Sequence, residues 1–252
     1  MRTFLTLVRR ELGAFFVSLT GYVIIASVLW LVGLSFTDML AKLNDDPQGV
    51  LEPLTELFYR TFFFWLILLL TAPVITMRSF AFEKWSGTYE TLMTTPVSDW
   101  QVVLAKFTGT LLFYVLTWLP LFGCIAVVRY LTREPTVLDP WTTASTFFGI
   151  VMVGCLYMSM GCFASALTRS QIIAAMNSFV IGLGLFILSL RSLVPAPSTD
   201  WAARVFSYIS LSQHMEDFVR GFVDTRQIVF YLSLTLFFLF LTLKVVEGRR
   251  WK

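Results

Sequence analysis

Six stretches of this chain contain no Asp, Glu, Lys or Arg: Leu12–Thr37, Thr61–Met77, Phe107–Val128, Pro140–Thr168, Ser170–Leu190 and Gln227–Leu243. Each is long enough, or nearly so, to cross about 30 Å of hydrocarbon as a helix. Hydrocarbon offers the backbone no hydrogen-bond partner, so only helices and closed barrels can span it. Barrel strands alternate polar and apolar residues, and these runs do not. The runs therefore predict an all-α polytopic membrane protein with six transmembrane helices. Composition agrees. Of the 252 residues 57% are hydrophobic and only 14% charged, with a mean hydropathy of +0.75. That is too little charge to cover a soluble domain of this size.

Six spans put both chain ends on one side of the membrane. If that side is the cytosol, eleven of the 19 basic residues lie there, including Arg2, Arg9, Arg10, Arg78, Lys84, Lys106, Arg249 and Arg250. The 16 acidic residues split the other way, five inside and eleven outside. A surplus of Lys and Arg in short loops marks the cytoplasmic face, so both termini are predicted to be cytosolic. Cys124, Cys155 and Cys162 all fall inside apolar runs, with neither metal spacing nor a disulfide framework. They read as small core residues, and the single histidine, His214, is too isolated to suggest a metal site.

Residues 1–13, MRTFLTLVRRELG, place Phe4, Leu5, Leu7, Val8 and Leu12 on one helical side and Arg9, Arg10 and Glu11 largely elsewhere. This predicts a short helix lying in the membrane interface ahead of a first span over about 14–36. A signal peptide is the rival, but the apolar run is too long and no small-residue cleavage site follows. Pro73 sits near the inner end of a short second span, and Pro120 lies within the third. Both remove a backbone hydrogen bond and predict kinks. The fourth span pairs Cys155 with Ser159 and Gly161 with Ser165 at small-xxx-small spacing, suited equally to packing within one subunit or to dimerisation. A hairpin at Arg169–Ser170 joins spans four and five. Between spans five and six, residues 201–223 recur at helical spacing. That segment is too polar to span and too apolar for a free loop, which predicts one or two short helices dipping into the outer leaflet. Nothing marks a second domain, so residues 1–252 read as one.

The stretch Thr71–Lys106 is more elaborate than a connection requires. Phe80, Phe82, Trp85, Tyr89 and Leu92 alternate with Arg78, Glu83, Lys84 and Glu90, and a Gly87–Thr88 pair and Pro96 punctuate it. Two short helices, the second opening at Gly87–Thr88 and ending at Pro96, would give a docking element with apolar contacts and orienting charge. The plainer reading is an interfacial helix resting on lipid. No metal motif, nucleophile elbow or phosphate-binding glycine loop accompanies it. Nor does any of the six apolar runs contain an ionisable residue of the kind ion-coupled carriers use. A membrane protein with a structured inner loop and no energy-transducing chemistry of its own points to an external motor.

The segment that carries Arg78, Glu83–Lys84, Gly87–Thr88–x–Glu90–x–Leu92, Pro96 and, ten residues on, Lys106 resembles the permease subunits of ABC-2 type ABC transporters. The segment LSQHMEDFVRGFVDTR (211–226) and the final EGRRWK are similar to the gliding-motility and nitrous-oxide-reductase maturation subgroup, closest to the gliding-motility type. The resemblance implies a coupling helix between spans two and three, with Arg9, Arg10 and Glu11 on an interface helix beside it. It implies re-entrant helices carrying His214, Glu216, Arg220 and Gly221 that close the external end. It also implies a cytosolic ATPase partner that holds ATP and magnesium, a second permease copy, and a companion with a large extracytoplasmic domain. The setting would be the bacterial inner membrane. No cofactor is expected on this chain, and no nucleic acid. Transport of a lipidic or polymeric substrate is the leading expectation, along a path lined by Thr71, Thr76, Thr117 and Ser159. Transmission of ATPase motion to an external partner is the second, and a membrane-embedded enzyme the third.

Overall fold

A computed structural model describes residues 2–45, 54–59, 61–88, 97–132, 139–190 and 208–250. Ten helices cover them: α1 (Arg2–Val17), α2 (Leu19–Asp45), α3 (Leu54–Tyr59), α4 (Phe63–Thr76), α5 (Ala81–Ser86), α6 (Asp99–Thr132), α7 (Pro140–Leu167), α8 (Gln171–Leu190), α9 (Leu211–Val219) and α10 (Thr225–Arg250). Among the described residues six segments are long and apolar enough to cross a membrane, and they match the six charge-free runs in order. The chain is an all-α, multi-pass membrane protein.

Two boundaries differ from the sequence reading. The N-terminal helix runs on to Val17, and the first span begins at Leu19. Ser18 makes the break: its hydroxyl bonds back to the Phe15 carbonyl at 3.4 Å and accepts the Gly21 N–H at 3.3 Å. Hydropathy could not place this elbow, because residues on both sides of it are apolar. Helix α6 continues unbroken through Pro120.

Helix α4 has 14 residues, about 21 Å at the usual rise, too short to cross alone. It ends three residues past Pro73, where the Met77 N–H bonds to the Pro73 carbonyl at 2.9 Å. The chain turns through Met77–Phe80 and resumes as α5. The apolar segment that crosses is thus Phe63–Ser86, α4 and α5 together.

Helix α7 is the axis of the bundle. It packs against α4, α6, α8, α9 and α10. It and the Phe63–Ser86 segment are each 67% buried, against 22% for α8. An aromatic core forms where α3, α4 and α6 meet, with Phe58, Phe64 and Trp118 in edge and tilted contacts at 5.5–6.4 Å between ring centres. The small residues of α7 serve this chain's own packing: a Cβ at Gly161 would lie 2.1 Å from Thr76 Oγ1, and one at Gly154 would lie 2.2 Å from the Tyr114 ring. Close approach stands in for the hydrophobic drive that lipid cannot supply.

Gly161→Val should therefore wedge α7 from α4 and cost about 1–3 kcal/mol or more. Gly33→Ala, where nothing lies within 4 Å, serves as the control. Melting of the purified protein in detergent checks this, with a marked drop expected for the first variant and little change for the second.

Candidate functional site

At one end of the bundle α1, α5, the start of α6 and the α7–α8 turn converge. Ser165 Oγ, on α7, accepts the N–H groups of Phe80 and Ala81, both at 3.1 Å, and donates to the Met77 carbonyl at 3.1 Å. The first N–H groups of a helix lack intrahelical partners. A hydroxyl from a neighbouring span thus does for α5 what a local cap residue usually does. Lys84, buried, donates to the carbonyl of Ala166 in the last turn of α7, where the helix dipole and free carbonyls attract a cation.

Beside this lies a ring of four charges. Lys106 Nζ is 2.9 Å from Glu83 Oε1 and 3.1 Å from Glu11 Oε1. Arg10 closes the ring, 2.8 Å from Glu11 and 2.9 Å from Glu83. Lys106 is only 2% exposed and also lies over the Phe80 ring at 5.3 Å. Burial pushes the Glu11 carboxyl up, but the neighbouring Lys106 and hydrogen bonds from Arg10 and Lys106 outweigh it and hold the group below its ordinary value. Arg78 donates to Thr20 Oγ1 at 2.6 Å and Ser18 Oγ at 3.3 Å, pinning the elbow between α1 and α2, and stacks over Phe82 at 5.1 Å.

The sequence reading had Arg78, Glu83 and Lys84 offering charge to a partner. The structure turns all three toward this chain's own helices. What faces outward on α5 is aromatic: Trp85 is 72% exposed and Phe82 is exposed next to it, with ring centres 6.2 Å apart. Trp85 lines an open groove with Arg169, Ser170, Gln171 and Ile172 of the α7–α8 turn. That hairpin looked too small to receive a partner unaided, and the structure sets it beside Trp85. Gly87, at φ 75°, ends α5 in a left-handed conformation that glycine adopts without strain. Thr88 is exposed, and its hydroxyl lies 2.8 Å from that of Ser86. Glu90, Leu92 and Pro96, with any second helix there, lie outside the described residues. Arg9 is exposed on α1.

Four hydroxyls expected along a path are buried and bonded to their own helices: Thr71 to the Ile67 carbonyl, Thr76 to Ala72, Thr117 to Tyr114 and Ser159 to Leu156, at 2.7–2.8 Å. In an apolar interior, satisfying the hydroxyl on the preceding turn is the lowest-cost arrangement. A small apolar cavity among Val32, Phe36, Phe58 and Leu121 holds about 10 Å³, room for one water at most.

The opposite end is closed by α3 and α9. Arg220 pairs with Glu56 at 3.0 Å and Glu216 at 2.7 Å. Thr55 donates to the Val219 carbonyl at 3.1 Å, and Tyr59 to the Ser212 carbonyl at 2.8 Å. Gly221, at φ 88°, lets the chain reverse, and its carbonyl accepts the Trp141 indole N–H at 3.0 Å. His214 is buried against the Phe230 and Tyr231 rings at 5.4 and 5.7 Å. Burial pushes its pKa down to about 4, and Asp224 opposes this without offsetting it. Of the helices expected between spans five and six, α9 is described; Val205 and Phe206 lie outside the described residues.

Sequence reasoning missed the ring because Glu11, Glu83 and Lys106 are remote in the chain. The usable signal was that Lys106 immediately precedes a charge-free run, where a cation must find a partner or reach water.

Removing one member of the ring should cost more than removing its charges together. Lys106→Ala leaves two carboxylates sharing the half-exposed Arg10, one charge short, and is expected to lose about 3 kcal/mol. The triple variant Glu11→Gln, Glu83→Gln, Lys106→Met should recover much of that in detergent unfolding measurements. His214 gives a pH signature. An unfolded histidine takes up a proton near pH 6.5, and the folded one only near pH 4. Stability is therefore full above about pH 6.5 and falls as pH drops toward 4. In His214→Phe that part of the acid dependence should vanish from the melting profile.

A family model described as ABC-2 family transporter protein matches residues 25–243. No curated protein matches the chain.

Proposed function

The chain belongs to the ABC-2 family of transporter proteins and is a membrane subunit of an ABC transporter, and from that premise we propose that α5 is its coupling helix, driven by a separate cytosolic ATPase that carries the ATP and magnesium. One observation carries this reading: α5 is fastened to α1, α6 and α7 by every charge it has, and its large outward-facing side chains are Phe82 and Trp85, beside the groove at the α7–α8 turn. Aromatic anchors over a firmly held base are the usual makings of an interface hot spot.

In this reading residues 1–252 form one transmembrane domain in the bacterial inner membrane, with both termini in the cytosol and α1 lying in the interface. Two copies work together, each on its ATPase. The substrate is lipidic or polymeric and moves between the copies. The apolar cavity among Val32, Phe36, Phe58 and Leu121 supports that, since it holds no more than a water. The second reading is transmission of ATPase motion, without transport, to a companion with a large extracytoplasmic domain, as in the gliding-motility type. The ion-paired external end, Arg220 with Glu56 and Glu216, favours it. A solute path through the closed pair would separate the two.

Trp85→Ala tests the coupling role without touching the inward bonds of α5. In the complex reconstituted with its ATPase, the variant should keep its melting temperature and lose about 2 kcal/mol of partner affinity, roughly thirtyfold. Transporter-stimulated ATP hydrolysis at limiting partner should fall with it. Unchanged affinity and stimulation would sink the assignment. Ser86→Cys, exposed at the end of α5, should label with impermeant thiol reagents from the cytosolic side only.

A further inference from the structure

Trp85 shares its groove with a cation that the chain leaves alone. The groove opens where α5 meets the α7–α8 turn, holds about 590 Å³ and is lined by Trp85, Arg169, Ser170, Gln171 and Ile172. Trp85 and Ile172 give it apolar walls, 72% and 73% exposed. Arg169, at the apex of the turn, is exposed, and among the described residues nothing pairs with it. The turn is stiff: Thr168 Oγ1 accepts the Ser170 N–H at 3.1 Å, and the Ser170 carbonyl accepts the Ala174 N–H at 3.0 Å. The Arg169 backbone is therefore fixed before any partner arrives, which lowers the cost of ordering it on binding.

The carboxylates of this end are spent within the chain. Glu11 and Glu83 belong to the ring with Arg10 and Lys106, Glu247 takes Lys244 at 2.8 Å, and Asp99 is engaged as well. Among the described residues none is left for a cation arriving from outside. The free charges are both positive: Arg169, and Arg9 on α1, exposed and likewise without a partner among the described residues. A basic surface laid on α5 would find repulsion there and no compensating contact.

One groove takes one occupant. A partner that covers Trp85 also covers Arg169, and withdrawing a guanidinium from water with no opposite charge in reach is strongly unfavourable. A carboxylate suits its planar fork, taking two parallel N–H donations. We propose that the ATPase meets this groove with an acidic side chain set among apolar ones, its carboxylate pairing with Arg169 while its neighbours pack on Trp85 and Ile172. The proposal rests on α5 being the coupling helix, and adds the chemistry of the surface that docks there.

Titration of the ATPase onto the full-length permease in nanodiscs tests it, once in phosphatidylcholine alone and once with phosphatidylglycerol added. Arg169→Glu should weaken binding about tenfold or more at about 50 mM salt, and the loss should shrink severalfold at about 500 mM, where an ionic contact is screened. The change breaks no bond within the described chain, so the melting temperature should hold. Arg226→Glu, exposed at the opposite end, makes the same charge change and should leave affinity alone. Trp85→Ala should weaken binding equally at both salt concentrations. Replacing one acidic residue of the ATPase surface by lysine should restore tight binding to the Arg169→Glu variant. Normal affinity in Arg169→Glu beside a weakened Trp85→Ala would overturn the acidic contact and leave the coupling role intact. Normal affinity in both would overturn both. A loss in Arg169→Glu seen only with phosphatidylglycerol would give the groove to a lipid headgroup and overturn the proposal.

Discussion

The ring of Arg10, Glu11, Glu83 and Lys106 is the constraint on which the α5 end depends. A lysine almost wholly withdrawn from water at the mouth of a span is tolerable only with opposite charge in contact. Each carboxylate comes from a different helix, Glu11 from α1 and Glu83 from α5, so satisfying Lys106 requires both helices to sit against α6 at once. The amphipathic N-terminal helix is thereby held to the bundle and not left to lipid alone. Arg10, half exposed, brings the ring to neutrality.

The same end shows how a short span is completed. Helix α4 is too short to cross alone, and the turn that follows would leave the N–H groups of Phe80 and Ala81 without partners. Ser165 satisfies both and Lys84 satisfies a carbonyl of α7 in return. The exchange makes α5 a local structure that exists because of its neighbour. Six residues would not hold a helix in isolation.

Most of the fold was legible because lipid simplifies the problem. Charge-free runs give the spans, and an even number of spans gives the common end. Amphipathic spacing announced α1 and α9. What hydropathy could not place were features set by single polar atoms: the Ser18 elbow, the inward turn of Glu83 and Lys84, and the hydroxyls of Thr71, Thr76, Thr117 and Ser159, each closed onto its own helix. In sequence a charge beside aromatic residues reads the same whether it faces a partner or a neighbouring helix. Only the partner's distance decides, and Glu83 finds Lys106 some twenty residues downstream and Arg10 far upstream. The motif around Gly87 was readable as an element, and its inner and outer faces were not.

The Met77–Phe80 turn has a mechanical consequence. Covalently, α5 follows span two; by hydrogen bonds it belongs to α7, through Ser165 and Ala166. A load applied at Trp85 therefore enters the bundle through α7, which packs against seven of the other described helices, α3 and α5 among them. Displacement of that rod cannot be absorbed by one neighbour sliding, since all of them share the strain. A push at α5 would thus be spread by α7 over its neighbours, α9 at the opposite end of the bundle among them.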